Sequence, residues 1–251
     1  MRVVVLVPTF NERDALPVTA DRLLRAVPDA TLLVIDDASP DGTGDIADAM
    51  ARADPRVRVL HRDAKHGLGA AYLAGMRRAL AEGFDRIVQM DADGSHPPES
   101  LPAMLAMADE AELVIGSRWV PGGAIVDWPL QRQIISRAGT LYAQLSLGIG
   151  VADMTAGYRV YTPDLLRRML ERPVTSQGYC FQIDMTRRAA DLGARIAEVP
   201  ITFREREHGR SKMSAGIIRE ALLKTTAWGL GRRWGQIVSG IERLRRTTTY
   251  R

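Results

Sequence analysis

The feature that most limits the fold of this chain is the alternation, through its first half, of short, mostly apolar runs with stretches of helical periodicity. The runs lie at 3–7, 31–35, 57–60, 86–90 and 113–115, and between them 14–27, 44–53, 70–82 and 99–108 repeat apolar residues at helical spacing. A strand that is apolar at successive positions, not only at alternate ones, has both faces covered, as in a parallel sheet wrapped by helices. The order therefore predicts a doubly wound, mostly parallel α/β sheet. Such sheets bind ligands beyond the carboxyl ends of their strands, so the chemistry is expected in the residues that follow each run.

Beyond residue 118 the alternation stops. A Gly/Pro-rich loop at Pro121-Gly122-Gly123 leads to helical patterns at 131–147, 163–170 and 181–192, then to a strand pair at 196–200 and 201–204. Residues 205–211 are charged, carry one glycine and have no apolar period, which reads as a mobile loop. A helix at 214–228 and a basic tail follow. There is no internal repeat.

Composition narrows the class. The 251 residues are 46% hydrophobic and 25% charged, enough for one large globular core, and exclude collagen-like, disordered and disulfide-scaffold chains. Cys180 stands alone, so no intramolecular disulfide or cysteine-based zinc site can form, and a reducing compartment is expected. The apolar run after Arg2 is too short for an export signal, and the longest uncharged stretch, 138–152, is 15 residues, too short to span a bilayer. The net charge of +4 hides an asymmetry: from Arg204 onward there are 12 Lys/Arg against 4 Asp/Glu. The basic end calls for an anionic partner, whether phosphorylated ligand, lipid surface or nucleic acid.

Five places carry candidate chemistry. Pro8-Thr9-Phe10-Asn11-Glu12 follows the first run. Asp36-Asp37-Ala38-Ser39-Pro40-Asp41-Gly42-Thr43 follows the second and is both turn chemistry and a pair of carboxylates at the sheet edge. Lys65-His66-Gly67-Leu68-Gly69 opens a helix, where backbone N–H groups suit a phosphate or ribose. Asp91-Ala92-Asp93-Gly94-Ser95-His96 directly follows a buried strand; two acids so close repel each other unless compensated, and together they suit a hard cation such as Mg²⁺ or Mn²⁺ that also binds a diphosphate. The fifth element is cationic: Arg118 after the fifth strand, Arg132 one helical turn from Ser136, and Arg206 and Lys212 flanking the charged loop. As a set they suit phosphate groups.

These motifs, with Gly157-Tyr158-Arg159-Val160-Tyr161, Gly178-Tyr179-Cys180-Phe181-Gln182 and Gly209-Arg210-Ser211-Lys212-Met213, resemble the dolichol- or polyprenol-phosphate mannosyltransferases, family-2 glycosyltransferases of the GT-A fold. The resemblance runs from residue 1 to about 228 and implies a GT-A domain at 1–228 with a basic amphipathic tail at 229–251. It implies a nucleotide-sugar pocket walled by Pro8, Phe10 and Glu12, with Val34 and Asp36 at the base and ribose, and with Asp37, Lys65, Gly69 and Ala92 in the same set. Phe10 stands where the family often has Tyr. Asp91 and Asp93 resemble metal ligands, with Ser95 adding an oxygen directly or through water. Arg118, Arg206 and Lys212 match positions at the donor or acceptor phosphates, and Arg118, Arg132 and Ser136 positions at the acceptor phosphate. Asp93, Arg118, Arg206 and Lys212 are then the catalytic set.

The implied reaction is a single in-line displacement that inverts GDP-mannose to a β-linked polyprenyl phosphate mannose, with Mg²⁺ or Mn²⁺ as cofactor. Near pH 7 the acceptor phosphate monoester is mostly ionised and already nucleophilic, so no dedicated base is needed. Leu230, Trp234, Ile237, Ile241 and Leu244 fall on one helical stripe flanked by arginines. Such a stripe suits an anionic membrane surface, or packs on the domain's own core. The expectation is a cytoplasmic enzyme, peripheral at the cytoplasmic face of the membrane or working with a membrane partner subunit. Three other readings stand beside it. A related transferase would use another donor such as UDP-glucose. A nucleotidyltransferase would carry a Gly-rich basic loop where Pro8-Thr9-Phe10-Asn11-Glu12 stands. A nucleic-acid-binding protein, for which the sheet-edge carboxylates are unsuited, is not expected.

Overall fold

The computed structural model describes residues 1–205 and 222–232. The five apolar runs form β1 (Val3–Thr9), β2 (Thr31–Asp36), β3 (Val57–His61), β4 (Arg86–Gln89) and β5 (Leu113–Ser117); α1 (Ala15–Ala26), α2 (Thr43–Ala53), α3 (Leu68–Ala81) and α4 (Leu101–Met107) connect them. After β5 come β6 (Ala124–Val126), α5 (Leu130–Leu147), β7 (Arg159–Tyr161), α6 (Pro163–Leu170), α7 (Gly178–Asp191), β8 (Ile196–Pro200) and β9 (Thr202–Arg204). The main sheet has the order β3-β2-β1-β4-β7-β5-β8.

Alternation along β1 shows why the strand is apolar throughout. Val4 and Leu6 enter a core shared with α3, α6 and α7, whereas Val3, Val5 and Val7 enter a second core shared with α1, α2 and α4. The helices lie close: a Cβ on Gly75 of α3 would sit 2.5 Å from Ile35 Cδ1 and 3.2 Å from Leu6 Cδ2. Glycine at this position lets α3 seat on β1 and β2.

The structure departs from expectation after β5. β7, not anticipated as a strand, runs antiparallel between β4 and β5, with Val160 opposite both Val88 and Val114. The two strands expected to pair with each other do not. β8 joins the main sheet parallel to β5, and β9 pairs with β6 in a separate two-stranded ribbon. Ile201 alone divides them, and its N–H donates to the Ser117 carbonyl at 3.0 Å.

Residues 222–232 are helical, so the helix runs through the expected domain boundary at 228. It packs on α5, where Tyr142 Oη donates to the Leu222 carbonyl at 3.3 Å and a Cβ on Gly229 would collide with the Ser146 carbonyl. Arg232 pairs with Asp191 of α7 at 2.5 Å. Arg206, Lys212, most of the charged loop, the start of the 214–228 helix and the tail beyond Arg232 lie outside the described residues.

Candidate functional site

In the strand order, β1 connects outward to β2 on one side and lies beside β4 on the other, which is the point where ligands bind in a doubly wound sheet. A cavity of about 520 Å³ opens there. Its lining includes Pro8, Thr9, Phe10 and Glu12 from the end of β1, Asp91, Ala92, Asp93, Ser95 and His96 from beyond β4, and Lys65, Gly67 and Leu68 at the start of α3. Arg118, Trp128, Arg132 and Phe203 complete the lining.

On the β1 side the Lys65 ammonium lies 3.8 Å from the centre of the Phe10 ring. The two adjacent aspartates of the β2 turn separate in role. Asp36 Oδ1 accepts from Thr9 Oγ1 at 3.0 Å and from Ser39 Oγ at 2.6 Å, and its Oδ2 accepts from Ser39 N–H at 3.1 Å. Asp36 is thus spent on fixing its own turn, and neither it nor Val34, which is fully buried in the core, lines the cavity. Asp37 does, paired with Arg62 at 2.6 Å. Burial raises its carboxyl above the ordinary value despite the Arg62 guanidinium beside it. Asp41 accepts from Thr43 N–H at 3.0 Å and Thr43 Oγ1 at 2.6 Å. Although burial opposes this, these bonds hold Asp41 below the usual carboxylate range. Thr43 Oγ1 in turn accepts from Glu12 N–H at 3.0 Å, locking the loop after β1 to the turn after β2.

Gly67 borders the cavity with φ +92, in the region that favours glycine, and a Cβ there would collide with the Gln177 amide. Gly69 does not reach the cavity. Its Cβ position is 3.0 Å from Phe181 and 3.1 Å from the Ser176 carbonyl, so this glycine serves the packing of α3 against α7.

The carboxylates beyond β4 are held from several sides. Asp93 Oδ1 accepts from Ser95 Oγ at 2.6 Å and Ser95 N–H at 3.2 Å. Ser95 therefore orients Asp93 through its hydroxyl. Asp91 Oδ1 accepts from Tyr72 Oη at 2.8 Å, and Asp91 N–H donates to His96 Nδ1 at 3.0 Å. Burial, and then the Asp91 charge, drive the Tyr72 phenol far above its ordinary value, so it remains a proton donor. A divalent cation suits this donor set. Both carboxylates are hard oxygen ligands on one cavity wall, and among the described residues no third acidic, His or Cys ligand joins them. Mg²⁺ and Mn²⁺ are commonly held in this way, by one or two carboxylates with the remaining positions left to substrate phosphate and water.

The rest of the lining is cationic and aromatic. Arg118 N–H, Nε and Nη2 donate to the Asp153 carboxylate at 3.1, 2.7 and 2.7 Å, and the pair is almost wholly buried. Burial opposes ionisation of Asp153, yet the Arg118 bonds and charge outweigh it and leave the carboxyl below its ordinary range. Among the described residues Arg118 Nη1 has no hydrogen-bond partner, and the guanidinium stands 5.4 Å from the Trp128 ring centre and 5.3 Å from that of Phe203. Arg132, on the first turn of α5, lies 4.1 Å from the centre of the Trp128 ring and pairs with Glu205. Ser136, on the next turn, does not line the cavity.

The structure thus gathers Pro8, Phe10, Glu12, Asp37, Lys65, Asp91, Ala92, Asp93, Ser95, Arg118 and Arg132 around one space, and leaves Val34, Asp36, Gly69 and Ser136 outside it. Sequence reasoning missed Tyr72, three residues beyond Gly69, and His96, which ends the Asp91–His96 motif. It also missed Trp128, an isolated aromatic in the loop before Pro129, and Asp153, whose pairing with Arg118 spans 35 residues and leaves no local signal.

Comparison with known proteins agrees with this geometry. Undecaprenyl-phosphate mannosyltransferase of Micrococcus luteus is 57% identical over 234 residues, covering 93% of this chain and 96% of that one. Polyprenol monophosphomannose synthase of Mycolicibacterium smegmatis is 51% identical over 231 residues, covering 91% and 87%. Among solved structures, glucosyl-3-phosphoglycerate synthase from Mycobacterium tuberculosis, bound to Mn²⁺, uridine-diphosphate-glucose and phosphoglyceric acid, matches with a TM-score of 0.68 at 21% identity, over 92% of this chain and 80% of its own. Mannosyltransferase PcManGT from Pyrobaculum calidifontis, in complex with GDP-Man and Mn²⁺, matches with a TM-score of 0.58 at 18% identity, over 93% and 71%. The fold is the GT-A fold. Residues 4–170 match the model of Glycosyl transferase family 2, and with relatives above 50% identity along nearly the whole chain, this protein belongs to that family.

Proposed function

We propose that this chain transfers mannose from GDP-mannose to a polyprenyl phosphate with inversion, giving a β-linked polyprenyl phosphate mannose. The observation that carries the reading is the double role of α5. Its first turn delivers Arg132 to the cavity, while its outer side leaves Leu130 71% and Ile134 58% exposed. One helix therefore offers a cation to a phosphate and an apolar surface to a lipid. The names of the two relatives above 50% identity support the same acceptor class.

In this reading the carboxylate side of the cavity takes the donor. Phe10 gives the base a stacking face, Glu12, Asp37 and Lys65 border it, and Asp91 and Asp93 would hold Mg²⁺ or Mn²⁺, with Ser95 orienting Asp93. That ion would offset the charge of the donor's diphosphate. Arg206 and Lys212 belong to the same task. Arg118 and Arg132 hold the acceptor phosphate, which is mostly ionised near pH 7 because its second pKa is about 6. A phosphate oxygen forms the new bond to the anomeric carbon as the bond from that carbon to the GDP oxygen breaks, and GDP leaves with the electron pair. No proton has to be removed from the nucleophile, so the protein's work is to position two anions that repel each other.

Among the described residues no helix is long and apolar enough to cross a membrane. In this reading the chain docks peripherally at the cytoplasmic face of the membrane, and the outer side of α5, together with exposed Leu223 and Leu230 of the 222–232 helix, supports contact with lipid. A membrane partner subunit would dock by the same apolar side chains.

Donor identity is tested by isothermal titration of the full chain with GDP-mannose and with UDP-glucose, in Mn²⁺. Tighter binding of GDP-mannose is expected. Preferential binding of UDP-glucose would keep the fold and the acceptor but overturn the donor.

A further inference from the structure

The geometry points to Tyr72 and His96 as the residues that position Asp91 for its cation, an inference that rests on Asp91 being a cation ligand. Asp91 follows β4 in a loop, where an unsupported carboxylate would turn freely about its side-chain bonds. Instead both its backbone and one oxygen are tied. Tyr72 Oη donates to Oδ1 at 2.8 Å, and the Tyr72 ring, fully buried on α3, is parallel to Phe181 at 6.2 Å. His96 Nδ1 accepts the Asp91 N–H at 3.0 Å, and its ring is stacked on Tyr158 at 5.1 Å and meets the Phe203 edge at 5.6 Å.

These contacts fix which oxygen is on offer. With Oδ1 engaged by Tyr72, Oδ2 is the oxygen with no hydrogen bond among the described residues. Because Nδ1 accepts, the ring N–H is the one at Nε2, which stands 3.9 Å from Oδ2. That is too long for a hydrogen bond, so Oδ2 keeps its lone pairs for a cation. Gly157 keeps the same side clear: a Cβ there would lie 3.2 Å from His96 Cε1 and 3.7 Å from Oδ2. Ligating carboxylates held by such partners bind metal more tightly because the ordering is done before the ion arrives, and loss of the partner typically costs about 10–100-fold in affinity.

The test measures Mn²⁺ binding directly, by the electron paramagnetic resonance signal of free Mn²⁺ titrated against the full chain in saturating GDP. Tyr72→Phe removes one hydroxyl and keeps the ring, and is expected to weaken Mn²⁺ about 10–100-fold while the melting temperature stays within a few degrees of the parent. His96→Asn, whose amide oxygen can accept the Asp91 N–H, is expected to bind Mn²⁺ more tightly than His96→Ala. If Tyr72→Phe and His96→Ala both bind Mn²⁺ within twofold of the parent while Asp91→Asn loses it, the positioning role is wrong and the metal site stands. If Asp91→Asn also binds like the parent, the reading of the site fails with it.

Discussion

Removing the Asp153 carboxylate is the perturbation whose cost the structure sets most directly. Asp153→Ala removes the acceptor of three bonds that Arg118 donates, from its backbone N–H, Nε and Nη2, and leaves a guanidinium that is almost wholly buried. Breaking a buried pair by deleting one partner costs about 3–5 kcal/mol, because the remaining charge loses its compensation. A chain of this size loses about 2–4 °C of melting temperature per kcal/mol, so the expected fall is about 6–20 °C. The assay is thermal and urea unfolding at pH 7 of Asp153→Ala, Arg118→Met and the double variant. The double variant, with neither charge, is expected to be more stable than Asp153→Ala alone. A loss below about 1 kcal/mol for Asp153→Ala would refute the reasoning, since it would show Arg118 to be solvated from the cavity. The pH dependence has a definite sign. The folded Asp153 carboxyl lies below its unfolded value, so its stabilisation is complete above about pH 4 and is lost as pH falls through the folded value. The parent should lose this increment in acid, and Asp153→Ala should not.

Three further outcomes are expected. Asp93→Ala should abolish turnover in a Mn²⁺-replete assay while its circular dichroism remains that of the parent; activity above a tenth of the parent's would remove Asp93 from the metal set. Gly75→Ala should destabilise the fold by about 1–3 kcal/mol in urea, because its methyl would meet Ile35 Cδ1 at 2.5 Å between α3 and the sheet; an unchanged midpoint would mean that α3 shifts without cost. Leu130→Glu combined with Ile134→Glu should leave the melting temperature unchanged and sharply reduce flotation with phosphatidylglycerol vesicles, since both side chains are exposed; undiminished flotation would move the docking surface elsewhere.

Strands with both faces buried are conspicuous in sequence, and β1, β2, β4 and β5 were legible for that reason; β3, an edge strand buried only at Val57, was legible from Val57, Val59 and Leu60. β7 was not, because its three residues carry no periodic signal and its place between β4 and β5 is set by pairing with strands distant in the chain. β6 lies inside a segment whose glycines read as loop. The separation of β8 from β9 turns on Ile201, where one chain direction serves two sheets. At the site, residue types and order located Asp91, Asp93 and Arg118, since carboxylates and arginines just past strand ends have few reasons to be there. Which of two adjacent aspartates faces the cavity was harder. The period of two places Asp36 on the same face as Val34, toward the core beneath α1, and Asp37 is the first residue past the strand. Partners such as Asp153 for Arg118 and Tyr72 for Asp91 come together only through packing, 35 and 19 residues apart.

The proposed transfer is read by incubating the purified full chain with labelled GDP-mannose, a polyprenyl phosphate and Mn²⁺, and measuring label in the organic-extractable product, with the anomeric configuration read by NMR. β-Linked mannose is expected in the lipid phase, abolished by EDTA and restored by Mn²⁺. Transfer that persists in EDTA, or an α-linked product, would contradict that expectation.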